Sequence, residues 1–483
     1  MELTLLLSRS DVARLHRLPL VKAARTGRTR GVAVRIVWHD SLDRALASQG
    51  LALAEQRGTS RLERHRPEPT EPWPPATDHR VIEEATEPGT MQHPLPDALI
   101  PVAAFEGRRT VVPLIIGEAP VKLTLLDGVL RAVAAERPAT RLLLEGPGTA
   151  VRTLALALAE TLALSVPGHS LAAEALSLAD GAAPPPRRYG APRLPADCVS
   201  VAAAFAHIVG HLTDVMLSLT SLATDATNGV EPVHQFRVAV RRARSAFALF
   251  PPLPDNPSYP VAAEGLKRLG QILGPARDWD VFMTETAPPV EAVLPDQAGL
   301  HAWLRTGERH RRVVRAALGA YLAGPEFRLL MLELCCLAAA EPVAEAVAGE
   351  TEPPPLPEFA AAILHRRWKK LSNAGKALEE LDNPGLHNVR LKAKRLRYAA
   401  EFFAPLFPEK PVARFINRLA LLQECLGVFN DTHAAEALVH ELSGKPGYAA
   451  GLVLGFTAAR GANIKPKIVR AWARFRRREP FWE

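Results

Sequence analysis

A pattern of cations occurs twice in this chain, in residues 234–244 and again, 153 positions later, in residues 387–397. Each copy reads His, then Arg three residues on, then two adjacent cations, and then a final Arg. The same offset relates residues 273–278 to residues 426–431, which both begin with Leu-Gly and end with Asp. An offset held over about 45 residues indicates a duplicated structural unit. The duplicated feature is mostly positive charge, and the chemistry that it predicts is the binding of a polyanion.

Helical spacing places the cations of each copy on one face, because positions three and four apart are neighbours on a helix. This cationic face consists of His234, Arg237, Arg241 and Arg244 in the first copy, and of His387, Arg390, Lys394 and Arg397 in the second. The opposite face is apolar and suits a core: Phe236, Val240, Ala243, Phe247 and Phe250, then Val389, Ala393, Leu396, Ala400 and Phe403. Arg242 and Arg395 flank the two cationic faces.

Like charges at this spacing repel by roughly a few tenths of a kcal/mol per pair. A bound anion offsets that repulsion, and guanidinium groups suit phosphate because their planar fork donates two parallel hydrogen bonds and stays charged. The alternative is a solvated helix face. Such faces usually mix charges of both signs, whereas only Glu231 and Glu401 flank these cationic runs. The pattern therefore favours a polyanion-binding surface.

The double motif, with its Leu-Gly-x-x-x-Asp segment, resembles the CHAD family, the conserved histidine α-helical domain, over residues 196–460. The resemblance implies an all-α fold of two four-helix units related by a pseudo-twofold axis, here residues 196–350 and 356–460. It also implies that the basic helices line a groove or pore that binds inorganic polyphosphate without catalysis. The expected ligand-binding residues are His234, Arg237, Arg241, Arg242, Arg244, His387, Arg390, Lys394, Arg395 and Arg397.

Other residues on these and neighbouring predicted helices extend the candidate surface. The possible additional contacts are Arg305, Arg309, Arg312, Arg366, Lys369, Lys370 and Tyr398. Nucleic acid is the rival polyanion, and proteins that bind single strands place aromatic platforms between their cations. Because the basic faces carry only one aromatic residue, Tyr398, phosphate is favoured over bases.

The Leu-Gly-x-x-x-Asp segments are interpreted as structural. Gly274 and Gly427 suit the position that ends a helix, and Asp278 and Asp431 suit the N-cap of the next one. We therefore expect a helix break after residue 273 and another after residue 426.

Residues 1–182 differ in kind, since strand-like runs such as residues 32–38 alternate with helical ones. Their layout resembles, weakly, a CYTH domain, the triphosphate tunnel, so the whole fold is expected to be an α+β tunnel-like barrel followed by the all-α CHAD domain. That family's entry strand carries acid-x-acid-x-Lys, whereas Glu2 is followed here by Thr4 and Leu6. A triphosphate tunnel needs carboxylates for a divalent cation and cations for phosphate. We expect a degenerate barrel that acts as a scaffold, with triphosphatase or polyphosphate-processing activity as the alternative.

Proline clusters suggest the domain boundaries. Residues 1–182 form the degenerate CYTH-like domain, residues 183–195 a Pro-rich linker, residues 196–460 the CHAD domain and residues 461–483 a basic, aromatic tail. A second alternative function is that of a nucleic-acid-binding or granule-associated adaptor that uses the same basic surface.

The net charge of +8 and the pI near 9.5 suit an acidic partner. The apolar residues 153–166 include Glu160 and are too few to span a membrane, and no secretory leader is expected. The four cysteines show no metal-binding spacing and are interpreted as packing residues. These features predict a cytoplasmic protein without cofactor or metal, located in the cytoplasm or at polyphosphate or storage granules.

Overall fold

The computed structural model describes residues 1–251, 256–339, 354–443, 447–462, 464–477 and 480–483. An antiparallel sheet forms the N-terminal part and helices form the rest. The strands are β1 (Glu2–Leu5), β2 (Arg30–Asp40), β3 (Leu51–Gln56), β4 (Thr59–Arg64), β5 (Arg80–Ala85), β6 (Ile100–Ile116), β7 (Ala119–Ala132) and β8 (Glu136–Glu145). Their order in the sheet is β1-β8-β7-β6-β2-β3-β4-β5. This sheet is compatible with the expected tunnel-like barrel.

Five short helices accompany the sheet: α1 (Arg9–Leu15), α2 (Pro19–Ala24), α3 (Ala45–Ser48), α4 (Gly148–Ala159) and α5 (Leu171–Asp180). Because successive strand residues point to opposite faces, the neighbours Leu125 and Leu126 enter different cores. Leu125 packs in the core that contains α4, and Leu126 packs in the core that contains α5. We call the face that contacts α5 the inner face and the face that contacts α4 the outer face.

Arg187 and Arg188 are buried within the Pro-rich segment 183–195, whereas their neighbour Tyr189 is exposed. The side chains of Arg187 and Arg188 are 2% exposed and approach the fully buried Asp214 at 3.8 and 3.5 Å. Arg188 also donates hydrogen bonds to the carbonyl oxygens of Glu68, Pro69 and Glu71. Removing one partner of a buried ion pair typically lowers the stability of the folded protein by about 3–5 kcal/mol. This segment therefore fixes the sheet against the helices.

Four histidines near these arginines, of which His65 and His211 are buried, should make stability depend on pH. Burial, aided by nearby arginines, lowers the pKa of His65, His169 and His207 to about 4 and that of His211 to about 3. The unfolded chain takes up these protons near pH 6.5, whereas the folded protein does not. We expect the free energy of unfolding to fall as the pH drops from about 6.5 towards 4, by up to roughly 1.4 kcal/mol per pH unit for each histidine.

Thermal unfolding of the full chain at pH 7.0, 6.0 and 5.0 checks this expectation. The His211→Gln variant is the control, since it removes one of the four protonations and should show a shallower decline. A melting temperature that stays constant from pH 7.0 to 5.0 would contradict the assignment.

The helical part begins after this Pro-rich segment. Its helices are α6 (Val201–Thr224), α7 (Glu231–Leu249), α8 (Ser258–Val281), α9 (Ala287–Val293), α10 (Ala298–Ala323), α11 (Pro325–Ala338), α12 (Leu356–Ala374), α13 (Asn383–Phe403), α14 (Glu409–Ser443), α15 (Tyr448–Ala462) and α16 (Lys465–Arg476). Among the described residues, α6 alone is long and apolar enough to cross a membrane, but most of it is buried inside the protein, as in a core helix.

The expected helix breaks do not occur. Helix α8 runs through Gly274 and Pro275, and α14 runs through Gly427. The physical reason is visible in α8, where Leu269, Leu273 and Ala276 are fully buried. This apolar spacing continues across the Gly-Pro pair, so packing outweighs the backbone hydrogen bond that proline removes. Gly274 and Gly427 therefore do not end helices.

Candidate polyanion-binding site

Helices α7 and α13 hold the two cationic faces, and local sequence fixes where each begins. Asp382 caps α13 by accepting a 2.8 Å hydrogen bond from the backbone N–H of Gly385, and Pro232 occupies the first turn of α7, where its missing N–H costs nothing. Val240 is 1% exposed and Leu396 is fully buried. The apolar faces predicted from the sequence therefore lie in the core, which turns the cations away from it.

A single carboxylate links the two basic helices. Glu401 of α13 accepts a hydrogen bond of 3.0 Å from Arg242 of α7 and one of 2.7 Å from Arg397 on its own helix. Arg397 also contacts the side chain of Gln423 at 3.3 Å, and the Arg242 guanidinium lies over the Tyr398 ring at 5.9 Å. The two copies of the motif are thus brought into direct contact, as a shared binding surface requires.

A third helix, α12, contacts the end of α7. Arg367 of α12 donates a 2.8 Å hydrogen bond to the carbonyl oxygen of Ala248, at the end of α7. Burial lowers the pKa of Arg367, and the nearby Arg395 and Arg366 lower it further. Phe250, just after α7, contacts Phe403, the last residue of α13, with ring centroids 5.7 Å apart, so the C-terminal ends of the two helices are in contact. Arg395 of α13 and Arg366 of α12 lie near Arg367 and so near the C-terminal end of α7.

The most crowded cationic cluster surrounds Arg241. Burial lowers the pKa of Arg241, and Arg237 and Arg242 lower it further. Burial also lowers the pKa of His234, with added repulsion from Arg277 and Arg241. Nε of Arg241 and Nη1 of Arg277 are shielded from solvent and have no hydrogen-bond partner among the described residues. A buried N–H without a partner costs about 1–3 kcal/mol, so an anion that accepted a hydrogen bond from either guanidinium would stabilise this cluster, in which Arg277 Nη2 already pairs with Glu285 at 3.2 Å.

Arg237 is held in place by the segment interpreted from sequence as a turn. Its Nη1 donates to the Gly274 carbonyl at 2.7 Å and to Asp278 Oδ1 at 2.8 Å. The prediction that Asp278 is an N-cap is therefore wrong, because Asp278 lies inside α8 and orients a motif arginine. The side chain of Asp431, its counterpart 153 residues later, lies outside the described residues.

The remaining motif residues differ in exposure. Arg244 is exposed and lies across Gly270 of α8, where a β-carbon would be 3.0 Å from its Nη1. Arg395 and His387 are exposed, whereas Arg390 and Lys394 are half-buried. In the part of the chain that the structure describes, neither Arg244 nor Arg395 forms an ion pair with a carboxylate. These two side chains are therefore open to a ligand.

The additional cations fall into two groups away from Arg241. Arg305, Arg309 and Arg312 are exposed on α10, and Arg312 approaches Glu308 at 3.5 Å. Arg315, on the same helix, instead pairs with the fully buried Asp280 at 3.3 Å and so has a structural role.

The second group lies on α12. Arg366, Lys369 and Lys370 line an open groove of about 590 Å³ beside Trp482 and His365. His365 contacts Glu483 at 3.1 Å. These cations face the C-terminal residues, and Arg366 also lies near Arg367 and so near the end of α7.

Two site residues were not singled out from the sequence, Arg277 and Glu401. Arg277 occurs inside the repeated segment, so the constant offset could have identified it as a candidate site residue, although its counterpart is Asn430. Glu401 was recognised only as an acid that flanks the basic run. Nothing in a single helix shows that its carboxylate bridges two helices.

Comparison with known families fits this geometry. Residues 200–440 match the family model of the CHAD domain. This stretch is a CHAD domain. Its limits enclose α7, α13 and almost all of the cations described above, so the resemblance carried by the double motif is confirmed.

Two solved structures are similar to part of this chain. The crystal structure of the CHAD domain from the plant Ricinus communis is 28% identical, with a TM-score of 0.49, and the match covers 60% of this chain and 97% of that one. PptA from Streptomyces chartreusis is 15% identical, with a TM-score of 0.43, and the match covers 56% and 99%. No curated protein sequence matches the chain significantly.

Proposed function

We propose that the CHAD domain of this protein binds inorganic polyphosphate on the surface formed by α7, α8, α12 and α13, and that it does so without catalysis. The observation that carries the proposal is the cluster around Arg241, where two shielded guanidinium N–H groups lack partners among the described residues. Phosphate oxygens accept hydrogen bonds from such groups in the geometry that a guanidinium offers. The CHAD family membership of residues 200–440 supports the same ligand.

The aromatic residues favour polyphosphate over nucleic acid. Tyr398, the one aromatic residue on the basic faces, is 9% exposed and covered by Arg242. A base cannot stack on a ring that is already covered, and base stacking supplies much of the affinity of single-strand binders. A flexible polyanion without bases needs only a track of cations. Polyphosphate, and granules rich in it, are therefore the proposed partners, and the cytoplasm or the surface of such granules is the proposed location.

A titration of the full chain with polyphosphate of defined lengths tests the proposal. Affinity is expected to rise with chain length, as more phosphates reach the cations on α12, and to fall steeply with added salt because each neutralised phosphate releases counterions. Equal affinity for short and long chains, or affinity that ignores salt, would count against the proposed surface.

The N-terminal sheet is proposed to be a scaffold, because several charged groups of its inner face pair with each other. Lys122 lies 2.7 Å from Glu145, and Arg141 lies 2.8 Å from Glu174, which α5 contributes. Glu63 lies 3.5 Å from His79. Although burial opposes it, the hydrogen bond from His79 to Asp78 and the carboxylate of Glu63 raise the pKa of His79 to about 9. Lys122 and Arg141 are thus neutralised by protein carboxylates, whereas Arg241 and Arg244 on α7 form no ion pair among the described residues. The helical part therefore offers cations that are freer to hold a phosphate.

We expect the full chain not to release phosphate from tripolyphosphate in the presence of magnesium or manganese. A divalent cation needs several oxygen ligands, and burial raises the pKa of Glu2, which disfavours the ionised form that would bind a metal. A colorimetric phosphate assay is the measurement, with Glu2→Gln as the matched control. Turnover above the protein-free rate that disappears in Glu2→Gln would show a working active site.

A further inference from the structure

The outer face of the sheet carries a cavity of about 350 Å³ beside α1 and α2. Small-molecule sites usually have volumes of about 300–1,000 Å³, so this one fits a small ligand. Its floor is apolar, formed by Val12, Val21, Val112 and Leu125. The cavity is remote in sequence from the CHAD domain and plays no part in the proposed polyphosphate surface.

Cations converge on the rim of this cavity. Lys22, Arg25 and Arg108 line it together with His16, and Asp127 is the one acid among the lining residues. In the described part of the chain, none of the three cations forms a salt bridge, even with Asp127 beside them. Burial, and then the charge of Arg25, lower the pKa of His16, which keeps this imidazole neutral at pH 7. With one carboxylate against three cations, the rim has a net charge of +2.

The backbone fixes two of these cations in place. The segment after α2 is attached to β6, since the N–H of Thr26 donates a 3.1 Å hydrogen bond to the carbonyl of Pro113 and Arg25 forms an isolated bridge with Leu114. Arg108 lies over Gly31, where a β-carbon would be 2.5 Å from its Nε and Nη2. The lack of a side chain at position 31 thus lets the Arg108 guanidinium occupy its position at the rim.

We infer that this cavity is a binding site for a small hydroxylated phosphate monoester of the sugar phosphate class. A phosphate dianion matches the +2 rim and the fork geometry of Arg25 and Arg108. Asp127 accepts hydrogen bonds from hydroxyl groups, and the hydroxyls of Thr29 and Thr110 serve as further partners. The apolar floor suits the C–H face of a sugar ring. A bare inorganic anion would leave this floor and Asp127 unused.

Calorimetric titration of the full chain with glucose 6-phosphate and ribose 5-phosphate tests the inference, with inorganic phosphate and glucose as comparison ligands. At least one sugar phosphate is expected to bind about tenfold or more tightly than inorganic phosphate, and glucose is expected not to bind, because charge-assisted hydrogen bonds dominate the affinity. The site is overturned if neither sugar phosphate gives a saturable signal. If inorganic phosphate binds as tightly as the sugar phosphates, the cavity is only an anion site and the proposed sugar phosphate class is wrong.

Matched variants locate the binding. Arg25→Glu is expected to weaken sugar phosphate binding by about tenfold or more, whereas Arg28→Glu, the same charge change on the same connection but outside the cavity, should leave it unaltered. Gly31→Ala should also weaken it, because the new methyl group displaces only the flexible end of Arg108. Equal losses in Arg25→Glu and Arg28→Glu would contradict the site.

One further variant separates this inference from the proposed polyphosphate function. Arg241→Glu, in the cluster on α7, is expected to leave sugar phosphate binding unchanged. Loss of sugar phosphate binding in Arg241→Glu would mean that the ligand occupies the α7 surface, which overturns the cavity as its site without touching the polyphosphate proposal.

Discussion

Reversing the charge of one cation in each copy of the motif, Arg241→Glu with Lys394→Glu, is expected to weaken polyphosphate binding by about a hundredfold or more. Each substitution removes a charge-assisted donor and adds a negative charge that repels the ligand, and charge-assisted hydrogen bonds each contribute about 1.5–3 kcal/mol. Near Arg241 a carboxylate would face Arg237 and Arg242, so the fold should tolerate it. Fluorescence titration with a labelled long-chain polyphosphate measures the loss.

The control for this double variant is Arg9→Glu with Arg28→Glu. It changes the net charge by the same amount at two exposed positions of the N-terminal part. Non-specific attraction would weaken both proteins equally. A folded Arg241→Glu, Lys394→Glu protein that binds with unchanged affinity would show that the cationic faces are ordinary solvated surface.

Leu396→Asp is expected to destabilise the protein by about 4 kcal/mol or more, as is Val240→Asp. Both positions have essentially no solvent exposure, so each aspartate would be buried without a partner, which is among the costliest single changes. Circular dichroism with urea titration measures the effect, and loss of polyphosphate binding should follow from loss of fold.

Leu391→Asp is the matched control, because it makes the same substitution in the same helix at a side chain that is 39% exposed. Its effect on the free energy of unfolding should be within about 1 kcal/mol. If Leu391→Asp and Leu396→Asp unfold at the same urea concentration, the orientation of α13 described here is wrong.

The sequence allowed the positions of the cations and of the core to be predicted, because both depend on local periodicity. Val389, Ala393 and Leu396 recur at helical spacing and are all fully buried, which leaves Arg390 and Arg397 on the remaining surface. The duplicated motif added the family resemblance. Local periodicity, together with repetition at a fixed offset, thus carried most of the correct predictions.

What could not be predicted depends on contacts between distant segments. Gly274 and Pro275 are signals for a helix break, yet the packing of α8 overrides them. Asp278 pairs with Arg237 of another helix instead of capping the N-terminus of a helix. Arg187 lies in the Pro-rich segment predicted to be a linker, and no local signal indicates that its side chain is buried against Asp214 on α6. A propensity argument has no access to such partners, because they are set by the tertiary structure.

The most direct test of the account is the polyphosphate titration of the full chain with single-stranded DNA as competitor, at matched phosphate concentration and salt. Polyphosphate is expected to bind about tenfold or more tightly than the DNA, because the buried and covered Tyr398 offers no platform to a base. The salt dependence should be steep for both ligands. Single-stranded DNA that binds as tightly as polyphosphate of the same phosphate number would contradict the central claim.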